Sequence, residues 1–236
     1  MQNSESERFI YSAYVNSVSG VAYEPSETFL TDGPSAALPV TGGSSCQTVE
    51  NISFKVGGSE ILSVGRATAS VTGARRENHY VSVATSRIEN LNILGIVTAD
   101  VIVSRVTSVY PPPESVRRRH HRDCDSSQFL VMGSHFDNLR INGQPQEYSI
   151  DPVEAEEGFM LKPTETTVGP ISRAQPGKIF VPELGTIHLG EKVTYGAKLI
   201  LTMLRADLHH GHHRGHFPIA TCCTNGSPGL KGGPGH

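Results

Sequence analysis

The residues with the most obvious chemical potential lie near the C-terminus. His209, His210, His212, His213 and His216 cluster closely, and Cys222 and Cys223 follow a few positions later. Imidazole nitrogens and thiolates are ligands for zinc and copper, and groups so close in sequence can reach one ion together. These seven residues are the candidate metal ligands. No zinc-finger spacing orders them, however, and the interspersed glycines predict a floppy segment without a preformed site. The competing reading is a solvated extension whose imidazoles titrate near neutral pH.

Other motifs carry less chemistry. Gly226, Gly229, Gly232 and Gly235 recur with the period of collagen, in which only Gly fits the crowded axis. That run is too short to hold a triple helix, so a flexible Gly/Pro-rich end is expected. Leu38-Pro39-Val40-Thr41-Gly42 has the letters of a sorting signal without the apolar segment and basic tail that should follow. Gly133-Ser134-His135 lacks the glycines that a nucleophile elbow needs two residues to either side of its serine. There is no phosphate-cradling glycine loop, no His-Glu-x-x-His and no Cys-x-x-Cys. The carboxylates between Glu147 and Glu165 read as a solvated acidic face. No catalytic residue and no cofactor site is assigned, apart from zinc or copper on the tail.

The elements that would position these residues are β-strands. The chain has 236 residues, 37% of them apolar, few aromatics and no Trp, and it is rich in Ser, Thr, Val and Gly. β-Branched side chains fit a pleated surface. Alternating patterns predict strands over 9–18, 49–56, 61–72, 80–86, 88–93, 97–109, 129–132, 138–141, 179–181, 186–189 and 198–208. Asn142-Gly143 predicts a hairpin turn with positive φ at both central residues. Leu199 to Leu204 is apolar at nearly every position, which suggests a central strand covered on both faces. Asp151 as N-cap, Pro152 at the first helical position and Gly158 as terminator predict one short helix over 152–158. The fold class is therefore all-β, a single large sandwich-like or irregular domain with at most that one helix.

The expected organisation is a polar N-terminal arm over 1–8 and a β domain over 9–208. Within the domain lie a charged loop over 111–127, which contains Arg117 to Arg122, and an acidic, Pro-rich loop over 147–177. A flexible His- and Gly-rich tail completes the chain over 209–236. Cys46 and Cys124 sit in loop-like contexts and could pair. A weak echo also runs through the domain: Val49-Glu50-Asn51-Ile52, Ile88-Glu89-Asn90-Leu91 and Phe136-Asp137-Asn138-Leu139 share the order apolar, acid, Asn, aliphatic. Calcium ligation by hard oxygens is one reading. The other is Asn accepting a left-handed turn.

The net charge of −3 gives no reason to expect nucleic acid as a partner. No apolar run is long enough for a membrane-spanning helix, and the polar start, Met1 to Arg8, does not read as a signal peptide.

The order of several short segments resembles the bacterial choice-of-anchor P surface domains. They are Ala13 to Gly20, Leu94 to Asp100, Leu139 to Pro145, Leu184 to Glu191 and Leu201 to Leu204, and the similarity spans roughly Phe9 to Leu208. The resemblance implies a secreted, β-rich, non-enzymatic surface module, and it supplies no catalytic residues. This chain differs in showing no leader or anchor and in adding the charged loop and the His-rich tail. The expectation is a non-catalytic bacterial structural or surface protein whose main partner is itself, as a homo-oligomer or filament. A metal-binding module built on the tail and a hydrolase with an unrecognised site are the alternatives.

Overall fold

The computed structural model describes residues 9–24, 26–77, 79–110, 128–150, 172–175, 177–182, 184–195 and 198–225. The strands are β1 (Ser12–Val18), β2 (Gly20–Glu24), β3 (Thr28–Leu30), β4 (Ser35–Ala37), β5 (Gly43–Val56), β6 (Ser59–Arg76), β7 (His79–Ile93), β8 (Val97–Tyr110), β9 (Gln128–Leu130), β10 (His135–Asp137), β11 (Arg140–Ile141), β12 (Gln144–Pro145), β13 (Ser172–Gln175), β14 (Lys178–Val181), β15 (Gly185–Tyr195), β16 (Lys198–His210) and β17 (His213–Asn225). They form two antiparallel sheets stacked face to face, and no helix occurs among the described residues. The all-β expectation holds.

One sheet is a meander. Its order is β12-β11-β8-β7-β6-β5, and β9 and β10 also pair along β8. Tight turns join β5 to β6, β7 to β8 and β11 to β12, because residues with positive φ sit where those chain reversals need them: Gly57-Gly58, Leu94-Gly95 and the expected Asn142-Gly143. The other sheet, which we call the terminal sheet, gathers both ends of the described chain in the order β13-β14-β15-β16-β17-β1-β4, with β2 on β17 and β3 on β2.

The pleat does not keep one phase along these strands. In β5, Val49 leans inward, Glu50 and Asn51 both face out, and Ile52, Phe54 and Val56 are buried. The same reversal occurs at Gly65-Arg66 in β6, Glu89-Asn90 in β7, Asp100-Val101 in β8 and Asp137-Asn138 beyond β10. Register puts these sites on one transverse line: Glu50 pairs with Arg66, Arg66 with Glu89, Glu89 with Val101 and Val101 with Asp137. Asn51, Asn90 and Asn138 have φ of 56°, 55° and 50°. A left-handed residue inserted in a strand turns the next side chain to the other face, and Asn tolerates that conformation better than other non-glycine residues. The echo read from the sequence is therefore this line, and the left-handed reading of its asparagines is the one that holds. Gly65 completes it, since a Cβ there would lie 3.0 Å from the Asn90 side-chain nitrogen.

The terminal sheet reverses in the complementary sense, with two successive residues facing in. These are Ser17-Val18, Met203-Leu204 and Ile219-Ala220, all buried, and the register continues the line to Leu189-Gly190. Here the left-handed positions are Gly190 (φ 61°) and Ala220 (φ 55°). The unbroken apolar run in β16 follows from this. Leu199, Leu201 and Met203 point inward before the reversal, and Leu204, Ala206 and Leu208 after it. The strand is not covered on both faces: Ile200 and Thr202 lie only partly buried on the other side.

Between the layers the facing residues are small: Ala13, Val15 and Ser17 of β1 lie against the strands carrying Ala67, Ala69, Ala84 and Ser86, and Cys222 of β17 lies against Ser104. The Ser17 hydroxyl donates to the Thr68 carbonyl at 3.0 Å, and the Ser86 hydroxyl donates to Ser17 Oγ at 2.8 Å. The Cys222 thiol donates to the Ser104 carbonyl at 3.4 Å. Small side chains let the layers approach until hydroxyls of one reach the backbone of the other.

Three expected boundaries change. The segment 209–236 is not simply a tail, because residues 213–225 form β17, a central strand between β16 and β1. Its alternate residues Gly215, Phe217 and Ile219 are buried, which supplies the driving force. The loop expected over 147–177 ends in β13, a strand paired with β14. The separate strands expected over 80–86 and 88–93 are one, since Arg87 pairs with Thr68 and Val103 inside a continuous ladder. The arm over 1–8, the charged loop over 111–127, the helix over 152–158 and the glycine repeat after Asn225 lie outside the described residues.

Replacing Asn90 with Val should lower stability by about 1–2 kcal/mol, because a β-branched residue is penalised at positive φ, while Asn90→Gly should stay within about 0.5 kcal/mol. Urea unfolding midpoints of the two variants test this, and equal losses would show that the backbone conformation is not what matters there.

Candidate functional site

The seven expected metal ligands do not converge. His209 and His210 end β16, Gly211 and His212 make the turn, and His213 opens β17 directly opposite His210. Four imidazoles thus share one hairpin tip. His216 lies further along β17, opposite Asp207. Cys222 lies six positions further along the strand, roughly 20 Å away. Cys222 is enclosed between the sheets, and burial pushes its thiol pKa up to about 12. Cys223 faces the other way and is also buried, with its pKa raised by burial. Among the described residues, no three His, Cys, Asp or Glu side chains are placed to hold one ion. Cys46 is a free, exposed thiol on β5, and Cys124, the partner weighed for it from the sequence, lies outside the described residues.

The structure instead brings together a set of charges on the outer face of the terminal sheet. His188 and Glu191 come from β15, Arg205 and Asp207 from β16, and His216 from β17. In a regular strand, residues 188 and 191 would face opposite sides. The reversal at Leu189-Gly190 returns Glu191 to the face of His188, beside Arg205. Arg205 grips Glu191 with two bonds, Nε to Oε2 at 2.7 Å and Nη2 to Oε1 at 2.6 Å. Its Nη1 donates to Asp207 Oδ2 at 2.8 Å. Asp207 also meets His188 Nε2 at 3.0 Å and His216 Nδ1 at 2.7 Å, one through each oxygen. His188 Nδ1 lies 3.3 Å from Glu191 Oε1.

Burial and Arg205 together hold the His188 pKa below its ordinary value, although Glu191 and Asp207 pull it the other way. For Asp207, burial alone would raise the pKa. The bond from His216 and the positive charge of Arg205 outweigh it, so the carboxyl sits below the usual carboxylate range. Arg205 is held above its ordinary value by the bond to Glu191. The network can therefore fix geometry and store charge. As an acid–imidazole pair it resembles the orienting half of a nucleophilic system, but both nitrogens of His188 are occupied by carboxylates. The sequence reading missed four of the five members, because they are spread over three strands without a local motif. It singled out His216, as a candidate metal ligand, but not the carboxylate of Asp207 that it meets.

Ser134 is structural: its Oγ accepts the Arg105 N–H at 2.8 Å and donates to the Arg105 carbonyl at 3.1 Å. The Leu38 to Gly42 segment is packed into the fold too. Leu38 is buried and its N–H donates to the Ala13 carbonyl at 2.9 Å, while the Tyr11 N–H donates to the Val40 carbonyl at 3.0 Å.

Both shifted groups act in one direction on stability. His188 is less basic when folded than when unfolded, so the unfolded chain takes up the extra proton as pH falls through 6.5. Asp207 contributes stability above its unfolded pKa, and this is lost as pH falls through its depressed folded value. The protein should lose stability between neutral and mildly acidic pH, and His188→Gln should shrink that loss. Thermal unfolding of both proteins across this range checks it; an unchanged slope would remove His188 as the cause.

Comparison with curated proteins and with solved structures returns no match. Residues 9–174 match a family model described as "Domain of unknown function (DUF8256)". That match spans β1 to β12 and most of β13, including the whole meander sheet, while the charged network lies beyond it. The chain belongs to the DUF8256 family.

Proposed function

We propose that this chain is a non-catalytic structural module that associates with copies of itself, as a homo-oligomer or filament at a bacterial surface. The observation that carries the reading is the outer side of β5. This strand runs for 14 residues at the edge of the meander sheet, and among the described residues no strand pairs with its far side. Unpaired N–H and C=O groups along such an edge are a template for another strand. β5 also carries few charges to discourage pairing: Glu50 and Lys55 are its only ones. The resemblance to choice-of-anchor P domains points to the same class of protein. The stretches 111–127 and 151–171, which hold most of the basic and acidic loops, lie outside the described residues, so the reading rests on the edge.

Sedimentation velocity over a wide concentration range is the test. A mass that rises with concentration is expected, and a strict monomer throughout would overturn the reading.

A second reading, a metal-binding module, is favoured by the hairpin tip, where His210 lies directly opposite His213. A pair of imidazoles across a hairpin can supply two ligands to zinc or copper. Stoichiometric binding that is lost in the His210→Ala/His213→Ala variant would support it. Weak binding that the double substitution leaves unchanged would sink it.

A further inference from the structure

We infer that the partner of β5 is β5 of a second copy, paired antiparallel about a two-fold axis between Glu50 and Asn51. This rests on the self-association reading and specifies its interface. The argument is the pleat reversal. Up to Val49 the odd-numbered residues of β5 lie on the inner side, with Ser45, Gln47 and Val49 opposite the buried Val71, Ala69 and Ala67 of β6, and from Ile52 onward the even-numbered ones do. Directly opposite residues in an antiparallel pair point to the same face. Among antiparallel registers that pair the strand across its reversal, a copy of β5 therefore matches the original at every pair in one alone. That register puts Val49 opposite Ile52, Glu50 opposite Asn51 and Thr48 opposite Ser53. Slipping the copy by two residues sets an inward side chain against an outward one near the axis.

Three further features fit this edge. The paired positions are alike in chemistry: two aliphatic residues meet on the inner face and two hydroxylated ones on the outer. The stretch Thr48 to Ser53 is also the accessible part of the edge. Just before it, the Ser35 N–H at the start of β4 donates to Gln47 Oε1 at 2.9 Å, so β4 already overhangs that end. Finally, the carboxylate of Glu50 has Arg66 of its own chain 3.8 Å away, which moderates the meeting of two glutamates at the axis. An interface of this kind uses the same patch on both molecules and closes on itself, giving a dimer.

Disulfide trapping tests the register. In a Cys46→Ser background, Thr48→Cys/Ser53→Cys places thiols directly opposite each other across the axis, within the reach of a disulfide. Thr48→Cys/Lys55→Cys places them two residues out of step, beyond that reach. All three positions are exposed, and circular dichroism confirms that each variant folds. Under mild oxidation the first variant should run as a covalent dimer and the second should not. Glu50→Gln should in addition tighten association several-fold by removing the charges at the axis. If the protein self-associates but neither variant cross-links, or both do equally, this interface is wrong and the broader reading survives. A protein that stays monomeric at every concentration overturns both.

Discussion

The structure depends on reversing the pleat of nearly every long strand at the same height. A strand alternates with period two, so a shift of one position moves its whole apolar set to the wrong face. Here that shift is made deliberately, once, in strand after strand across each sheet. Because neighbours shift together, the hydrogen-bonded ladder and the core both survive. The left-handed residue appears in every second strand: β5, β7 and the link after β10 in the meander sheet, and β15 and β17 in the terminal sheet. Strands running the opposite way follow with Gly65, Asp100, Met203 and Ser17 in ordinary conformations. The two sheets shift in opposite senses, one with doubled outward residues and the other with doubled inward residues, so they nest.

That constraint determines what lies on either side of it. On the core side it brings Ser17 within reach of the Thr68 carbonyl and the Ser86 hydroxyl. On the solvent side of the terminal sheet it returns Glu191 to the face of His188, and Arg205 can then hold Glu191 and Asp207 together. Without the reversal the glutamate would point into the sandwich, where an unpaired charge is costly. The network lies partly in solvent, so its individual ion pairs are each worth little. Its role is to lock three strands in one arrangement.

Much of this was legible in the residues. Alternation located most of the long strands, and Asn142-Gly143 marked its hairpin. The repeated acid–Asn pairs were visible, but local sequence could not show that they align, because the alignment depends on register between strands up to 87 positions apart. β17 was hidden for two reasons. Its histidines suggest solvent, and Pro218 argues against a central strand, since it has no N–H to donate. The structure tolerates the proline because it faces Ser19, at the junction where β1 gives way to β2, and its carbonyl accepts the Ser19 N–H at 3.3 Å. The charged network was illegible because its members meet only through cross-strand pairing.

The pairing of β1 with β17 has a consequence for how the molecule comes into being. The meander strands β5 to β8 pair with their neighbours in order, so that layer can assemble as it leaves the ribosome. β1 emerges first yet must wait for the last strand before its ladder can close, with Ser12 meeting Asn225. Contacts so distant in sequence slow folding. The family match ends at residue 174, before β17 begins, so a fragment cut at that boundary would carry β1 with only the short β4 beside it and a meander with much of its apolar face bare.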